Sequence, residues 1–260
     1  MVLQVPNQVI QPPQMATRVS VCMATYRGAK YVREQIQSIL DQLAPHDEIV
    51  VVDDASLDDT ADVIAAFNDP RVKLHRAPVN RGYVRTFEHA LILAKGEFLL
   101  LSDQDDVWPP GRLQTMLDAL SASQFVTANY AVLGGAAQPP ATRPMSPRFD
   151  TTTKRNLFGI FIGYRPYFGC AMGFRRSVLA QILPIPDFVF ESHDLWIALN
   201  ANAAHTMRHL DSVVVLRRLH DNNVTPLGWR PLGSILRARV MLVRGYLVAR
   251  RRVRILASRG

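Results

Sequence analysis

An α/β fold, built on a mostly parallel sheet with helices on both faces, is what this sequence predicts, on three observations. Over the first hundred or so residues, short apolar runs alternate with segments whose apolar residues recur at helical spacing. The connections between them are only a few residues long. The apolar runs are rich in Val, Ile and Leu without polar alternation, as strands buried on both faces are.

In order, "RVSVCMATY" (18–26) ends in the turn signal Thr-Tyr-Arg-Gly and reads as a first strand. "KYVREQIQSILDQL" follows as a helix, with Val32, Ile36, Ile39, Leu40 and Leu43 on its apolar face. "DEIVVVDDAS" holds a second strand, Ile49 to Val52, that stops at paired aspartates. "DDTADVIAAFN" reads as the next helix, with Ser56 or Asp58 placed to cap it. "RVKLHRAP" is a third strand, "YVRTFEHALILA" a third helix with Gly96 at its C-cap, and "EFLLLSD" a fourth strand. After Leu120 the pattern loosens. Residues 134–156 carry Gly, Pro and hydroxyl residues at a density that predicts a long loop. "FGCAMGFRRSVL" resumes an apolar segment, "ESHDLWIALNANA" reads as a helix, and "SVVVLRRLHDNN" as a strand ending at His220.

The net charge of +8 is uneven: the nine arginines after Asn222 meet no acidic residue, so the rest of the chain sums to about −1. A basic tail on a near-neutral body argues against nucleic-acid binding by the body, which would call for a basic face on the fold itself. No run of eighteen apolar residues and no basic-then-apolar leader occurs, so the sequence predicts a cytoplasmic protein whose residues 1–17 form a mobile tail. Cys22 and Cys170, both in apolar surroundings, read as reduced, buried thiols.

In parallel sheets, ligands bind beyond the carboxyl ends of the strands. Three such ends carry polar groups here: Thr25 and Tyr26, then Asp53 and Asp54, then Asp103, Asp105 and Asp106 in "LLLSDQDDVW". They are expected to converge on one rim. Asp-x-Asp at a strand end suits Mg²⁺ or Mn²⁺, hard ions that take one or two carboxylates plus phosphate and water. An acidic turn in which Asp103 merely caps the next helix has the same composition.

"ATYRGAKYVREQIQSILDQ", "VVDDASLDDT", "NRGYVRTFEHALILAKGEFLLLSDQDDVW" and "SHDLWIAL", in this order and spacing, resemble the inverting family-two glycosyltransferases, particularly their rhamnosyltransferase-like branch. The resemblance implies a GT-A type fold with a nucleotide-sugar half (18–120) and an acceptor half (121–228), followed by a basic C-terminal helix (229–260). It implies Thr25 and Tyr26 at the base and ribose, and Asp54 with Asp53 at the base edge. Asn80 and Gly82 correspond to its Asn-x-Gly element, with Gly82 letting backbone approach the donor. Asp103 would contact the ribose or the metal's waters, Asp105 the metal, and His220 the metal or the diphosphate, with Asp106 as support. Trp108 is equally a wall of the sugar pocket or a core residue. Asp194 is the implied base: in the first turn of a helix the macrodipole favours an ionised carboxylate. Glu191 is the substitute if the helix phase differs.

Two departures from the family pattern are visible. The Gln-x-x-Arg-Trp element of processive synthases is absent, and Ala24-Thr25-Tyr26-Arg27 stands where Pro-Thr-Tyr-Asn is more usual. In the tail, Leu236, Val240, Val243 and Leu247 fall on one helical stripe, and Arg237, Arg244 and Arg251 on another. Such a helix suits either an anionic membrane surface or packing on the domain.

The expectation is therefore a Mn²⁺- or Mg²⁺-dependent, inverting transfer of a sugar from a UDP- or dTDP-linked donor to a hydroxyl of a saccharide or lipid-linked saccharide. The setting expected is bacterial cell-surface polysaccharide or glycolipid assembly, at the inner face of the cell membrane. The alternatives are a nucleotidyltransferase making sugar nucleotides, for which "ATYRGAKY" is a poor triphosphate loop, and a non-enzymatic basic adaptor.

Overall fold

The computed structural model describes residues 17–135, 144–165, 167–220 and 231–258. The elements in chain order are β1 (Val19–Thr25), α1 (Val32–Leu40), β2 (Glu48–Asp53), α2 (Thr60–Ala65), β3 (Val72–Arg76), α3 (Tyr83–Leu93), β4 (Phe98–Ser102), α4 (Arg112–Ser121), β5 (Phe125–Val132), α5 (Thr153–Ile162), β6 (Met172–Arg175), α6 (Leu179–Ile182), α7 (His193–Ala203), β7 (Met207–Arg217) and α8 (Leu232–Ala257).

One seven-stranded sheet, ordered β3-β2-β1-β4-β6-β5-β7, runs through both predicted halves. The pairs β1/β2, β1/β4, β2/β3 and β5/β7 are parallel, and β6 alone runs antiparallel, between β4 and β5. Strand side chains alternate between the two faces. On one face Val21 and Met23 of β1 pack with α1 (Ile36, Ile39), α2 (Ile64) and α4 (Met116, Leu117). On the other, Cys22 packs with α3 (Phe87, Leu91), and the same core continues through α5, α7 and α8. A sheet covered on both sides explains why its inner strands read as unbroken apolar runs: β2 and β4 are buried at every position.

Several expectations shift. β5 was not foreseen, because "FVTANYAV" mixes polar and apolar residues; it is nevertheless largely buried, between β6 and β7. α5 begins at Thr153, inside the predicted 134–156 loop, of which 136–143 lie outside the described residues. β7 begins at Met207 rather than at Ser212. Residues 1–16 of the predicted tail, and the Asn-Asn-x-Thr run that follows His220, also lie outside the described residues. At α2, Asp58 rather than Ser56 serves the helix start, accepting from the Thr60 amide at 3.2 Å.

Gly96 is not a helix cap. α3 ends at Leu93 with Ala94 at its C-cap, and Gly96 donates its N–H to Ser20 Oγ at 2.7 Å where the chain crosses β1. A Cβ there would lie 2.5 Å from the Ser20 nitrogen and 2.6 Å from the Val19 carbonyl carbon, both backbone atoms that cannot swing aside. Gly96→Ala is therefore expected to destabilise the fold by about 1–3 kcal/mol, the usual cost of overpacking, measured as the change in denaturant midpoint.

Candidate active site

β1, β2 and β4 are adjacent and parallel, so their carboxyl ends open on one rim. The two loops after β1 and β2 are tied together by carboxylates. Asp53 accepts from Thr25 Oγ1 (3.0 Å), the Ser56 amide (2.9 Å) and Ser56 Oγ (2.6 Å), and Ser56 Oγ in turn accepts the Arg27 amide (3.0 Å). Asp54 accepts the Arg81 and Gly82 amides at 2.8 and 2.9 Å, while Asn80 Nδ2 donates to the Asp54 carbonyl. Asp53 and Asp54 are 2% and 3% exposed. Expected at the base edge, both carboxylates are buried here and accept from the protein's own amides and hydroxyls, shaping the wall of the rim. Gly82, with φ +82°, makes the turn into α3 that presents those amides. Tyr26, by contrast, is 40% exposed, with the Arg27 guanidinium 5.1 Å from its ring centre.

Three non-glycine residues on these loops and before α7 have left-handed backbone: Arg27 (φ 50°), Ala55 (φ 57°) and Ser192 (φ 57°). Asn tolerates this region better than Arg, which gives a physical reason for the Asn usual at position 27. The conformation at Arg27 is held by its amide bond to Ser56 and by Gln104, which pairs with the Tyr26 backbone in both directions (2.9 and 3.0 Å).

Gln104 belongs to the acidic loop that follows β4. There Asp103 and Asp106 converge on Cys170, with one ligand-capable atom from each lying within 4.8 Å of the others. Burial raises the Asp103 carboxyl to about 6, with the Asp105 charge adding to it, and raises Asp106 to about 7, with Asp103 and Asp105 adding. Burial also pushes the Cys170 thiol well up, so it stays protonated. Asp106 Oδ1 accepts the Arg218 amide at 3.2 Å, while its Oδ2 is buried with no hydrogen-bond partner among the described residues. Asp105 turns the other way, placing Oδ2 at 2.9 Å from His220 Nε2; both side chains are about one-sixth exposed. The His220 ring is stacked on Tyr31, with centroids 4.8 Å apart and planes 19° apart. A bridge between Val107 and Leu216 brings the end of β7, and with it His220, to this loop.

Behind the acidic loop lies Arg112, 2% exposed. Its guanidinium donates to the carbonyls of Val214 (3.0 Å), Leu101 (3.1 Å) and Cys170 (2.6 Å) and lies 4.0 Å from the Trp108 ring centre. Trp108 is itself 2% exposed, which settles it as a core residue rather than a wall of the sugar pocket.

Asp194 occupies the first turn of α7, as expected, and its Oδ1 accepts the Leu195 amide at 2.8 Å. Burial lifts its carboxyl from 3.8 to about 7, and the Asp103 charge adds to the lift. His193, stacked on Phe87 at 4.1 Å, is held neutral because burial lowers its pKa to about 3. Glu191 lies in the loop before α7, outside the helix.

Residues 20–183 match the model of glycosyl transferase family 2. The chain belongs to that family. Among its relatives, WfgD of Escherichia coli, a UDP-Glc:alpha-D-GlcNAc-diphosphoundecaprenol beta-1,3-glucosyltransferase, is 29% identical over 117 residues, covering 44% of this chain and 46% of WfgD. The chain spans between half and two thirds of the length of the curated relatives it matches first. The fold is shared with S. aureus TarS 1–349 in complex with UDP-GlcNAc (TM-score 0.70, 17% identity, covering 88% of this chain and 66% of that one). It is also shared with the mannosyltransferase PcManGT of Pyrobaculum calidifontis in complex with GDP-Man and Mn²⁺ (TM-score 0.59, 19% identity, 97% and 79%). The GT-A type architecture expected from sequence is the one observed.

Within this family 2 domain, sequence reasoning missed Gln35, Gln104 and Arg112. Gln35 Nε2 donates to Ser102 Oγ (2.7 Å) and the Asp103 carbonyl (3.0 Å), fixing the start of the acidic loop from α1. Each acts on a partner far away in the chain or through backbone carbonyls, so no local pattern marks it. Gly28 is the one legible trace: it directly follows the strained turn, and a Cβ there would fall 2.2 Å from Gln104 Oε1. Arg85 joins α3 to the segment before α7 through Glu88 and the Ile185 and Pro186 carbonyls. Arg112→Met is expected to cost about 3–5 kcal/mol, because it strands three buried carbonyls and removes one of the two cations behind the acidic loop. Arg112→Lys should cost less; urea unfolding of the two variants checks the order.

Proposed function

We propose that this chain transfers a sugar from a UDP- or dTDP-linked donor to a hydroxyl of a saccharide acceptor, with inversion at the anomeric carbon. The observation that carries the reading is the convergence on one rim of three carboxylates after β4, His220 after β7 and Asp194 at the start of α7. Family membership supports it, and argues against the nucleotidyltransferase and the adaptor. The setting we infer is assembly of a cell-surface polysaccharide or glycolipid on the cytoplasmic side of the membrane; the diphosphoundecaprenol-linked acceptor in the name of WfgD supports a lipid-linked saccharide here.

The donor set fits a hard divalent cation. Asp103, Asp105 and Asp106 supply oxygens, their crowding and burial raise the pKa of two of them, and Asp106 Oδ2 has no partner of its own among the described residues. Asp105 and His220 would hold the ion, with Asp103 beside them. An imidazole among the ligands suits Mn²⁺ better than Mg²⁺, which takes oxygen almost exclusively. When bound, such an ion supplies positive charge against the diphosphate as it leaves. Cys170 is a poor ligand for it, since the thiol is protonated and soft.

The exposed Tyr26 lines the base and ribose side, with the buried Thr25, Asp53 and Asp54 building the wall behind it and Asn80 and Gly82 closing it. Asp194 takes the acceptor's proton onto its carboxylate as the acceptor oxygen attacks the anomeric carbon and the bond to the diphosphate breaks. One displacement inverts configuration and leaves no covalent sugar on the protein.

A base whose carboxyl is raised to about 7 must be deprotonated to act, so the transfer rate should rise with pH through about 7 and then level off. Asp194→Asn should lower kcat by about 10²–10⁴-fold and leave donor binding within about threefold. A variant retaining most of its kcat refutes the assignment.

The raised Asp103 and Asp106 carboxyls bind more protons folded than unfolded. Their contribution to stability is therefore greatest in acid and is lost as pH rises through about 6 to 7. Loss of those protons places negative charge beside the ion that Asp105 and His220 would hold, so Mn²⁺ affinity should strengthen between about pH 6 and pH 8. In a thermal-shift screen of nucleotide sugars, at least one donor should stabilise the protein only with Mn²⁺ or Mg²⁺, and Asp105→Asn should abolish that response. Absence of any metal-dependent response defeats the donor-site reading.

A further inference from the structure

The outer face of α8 carries a surface that the donor chemistry leaves unused. α8 packs on the domain through Ala238, Met241, Leu242, Gly245 and Ala249, with Gly245 set against Leu199 and Trp196 of α7. At about 100° per residue, the opposite side of the helix is a narrow stripe of Leu236, Val240, Val243 and Leu247. Those four side chains are between 50% and 66% exposed. On the same wheel Arg239 and Arg250 fall along one border of the stripe, and Arg237, Arg244 and Arg251 along the other. α8 holds seven arginines and no acidic residue. Beside it, α5 meets the Arg239 border: Phe161 contacts Tyr246 edge-on at 6.1 Å and Gly163 lies against Arg239. α5 adds exposed Phe158 (62%) and Ile162 (53%), with Lys154 and Arg155 exposed just before them.

We propose that this face docks on the surface of an anionic lipid bilayer, with α8 lying in the plane of the interface. Apolar side chains between two rows of guanidinium groups need a partner that offers an apolar phase and anions at once, and a bilayer of acidic lipids offers both. Leu and Val enter the acyl boundary while the flanking arginines extend their stems along it and keep their charge among the headgroups. A second copy of α8 would set cationic rows against cationic rows with no carboxylate between them. A nucleic acid supplies phosphate but no phase for the apolar stripe. The 26 residues reach about 39 Å along the surface. No helix among the described residues is long and apolar enough to cross a membrane, so α8 lies on the bilayer rather than through it.

The test is flotation of the full chain with vesicles of phosphatidylcholine alone and with about one-third phosphatidylglycerol. Binding is expected to the anionic vesicles, weakly to the neutral ones, and to fall as salt rises from about 0.1 to 0.5 M. Leu236→Asp with Val243→Asp should cut vesicle partitioning at least about tenfold, and so should Arg237→Glu with Arg251→Glu. Phe158→Asp should weaken it by a smaller factor. All these side chains are exposed, so melting temperatures and circular dichroism should match the parent and exclude misfolding. Asp105→Asn should float like the parent, so failure of the donor-site reading leaves this result unaffected. The proposal is overturned if the parent does not float with anionic vesicles, if the Leu236→Asp/Val243→Asp chain floats as well as the parent, or if that substitution instead converts a dimer to a monomer in sedimentation.

Discussion

One buried cation supports the acidic rim. Three carboxylates within four residues of the end of β4 would repel one another and resist desolvation. Arg112, the first residue of α4, reaches back beneath them and hydrogen-bonds carbonyls of β4, β7 and the turn before β6. Burial lowers the Arg112 guanidinium to about 10, still far above neutrality, so it remains a cation. Arg217 adds a second positive charge facing Asp103 and Asp106, packed between the rings of Tyr130 and Phe168 at 4.9 and 4.7 Å. Exposed ion pairs such as Arg76–Asp62, at most about 1 kcal/mol each, could not do this, because solvent already screens them. A buried guanidinium whose two terminal nitrogens donate to three carbonyls holds both the strand spacing and the local potential.

The rest of the rim follows from where the carboxylates point. Asp53 and Asp54 spend their oxygens on backbone amides and nearby hydroxyls, which makes two loops rigid enough to hold left-handed conformations at Arg27 and Ala55. Strain of this kind persists only where the surroundings over-determine it. Gln104 completes the enclosure by pairing the acidic loop with the Tyr26 backbone. The aspartates thus divide by what they meet: Asp53 and Asp54 bond the loops of the rim, Asp103 and Asp106 converge on Cys170, and Asp105 meets His220.

This division shows what was legible in the sequence. β1 to β4 and α1 to α3 could be read because a doubly covered parallel sheet writes its periods of 2 and 3.6 directly into the chain. The rim could be read because strand ends in such a sheet share an edge, and the first-turn place of Asp194 because "ESH" precedes an apolar helical run. β5 could not, since its polar Thr127 and Asn129 are buried or bonded by the tertiary structure; Asn129 bonds the Met145 and Asp211 backbones across a bulge. Nor could the inward turn of Asp53 and Asp54, because an acidic pair after a strand has the same spelling whether it faces a ligand or its own loop. Gly96 was misread for a similar reason: a glycine after a helix looks like a cap, whereas its cause is Ser20, far away in the chain.

The two charged surfaces sit on different elements, and α7 connects them. Its first turn holds Asp194, while further along Trp196 and Leu199 receive Gly245 of α8. Arg252 strengthens the joint, lying 5.3 Å from the Trp196 ring centre and donating to the Gln181, Ile182 and Pro184 carbonyls. Close packing transmits position because such contacts have little slack. A bilayer docked on the outer face of α8 would therefore fix the height of Asp194 above the lipid. An acceptor sugar carried on a lipid would then approach Asp194, the proposed base, from a set distance, which is the positioning that the proposed transfer from a water-soluble donor to a membrane-held hydroxyl requires.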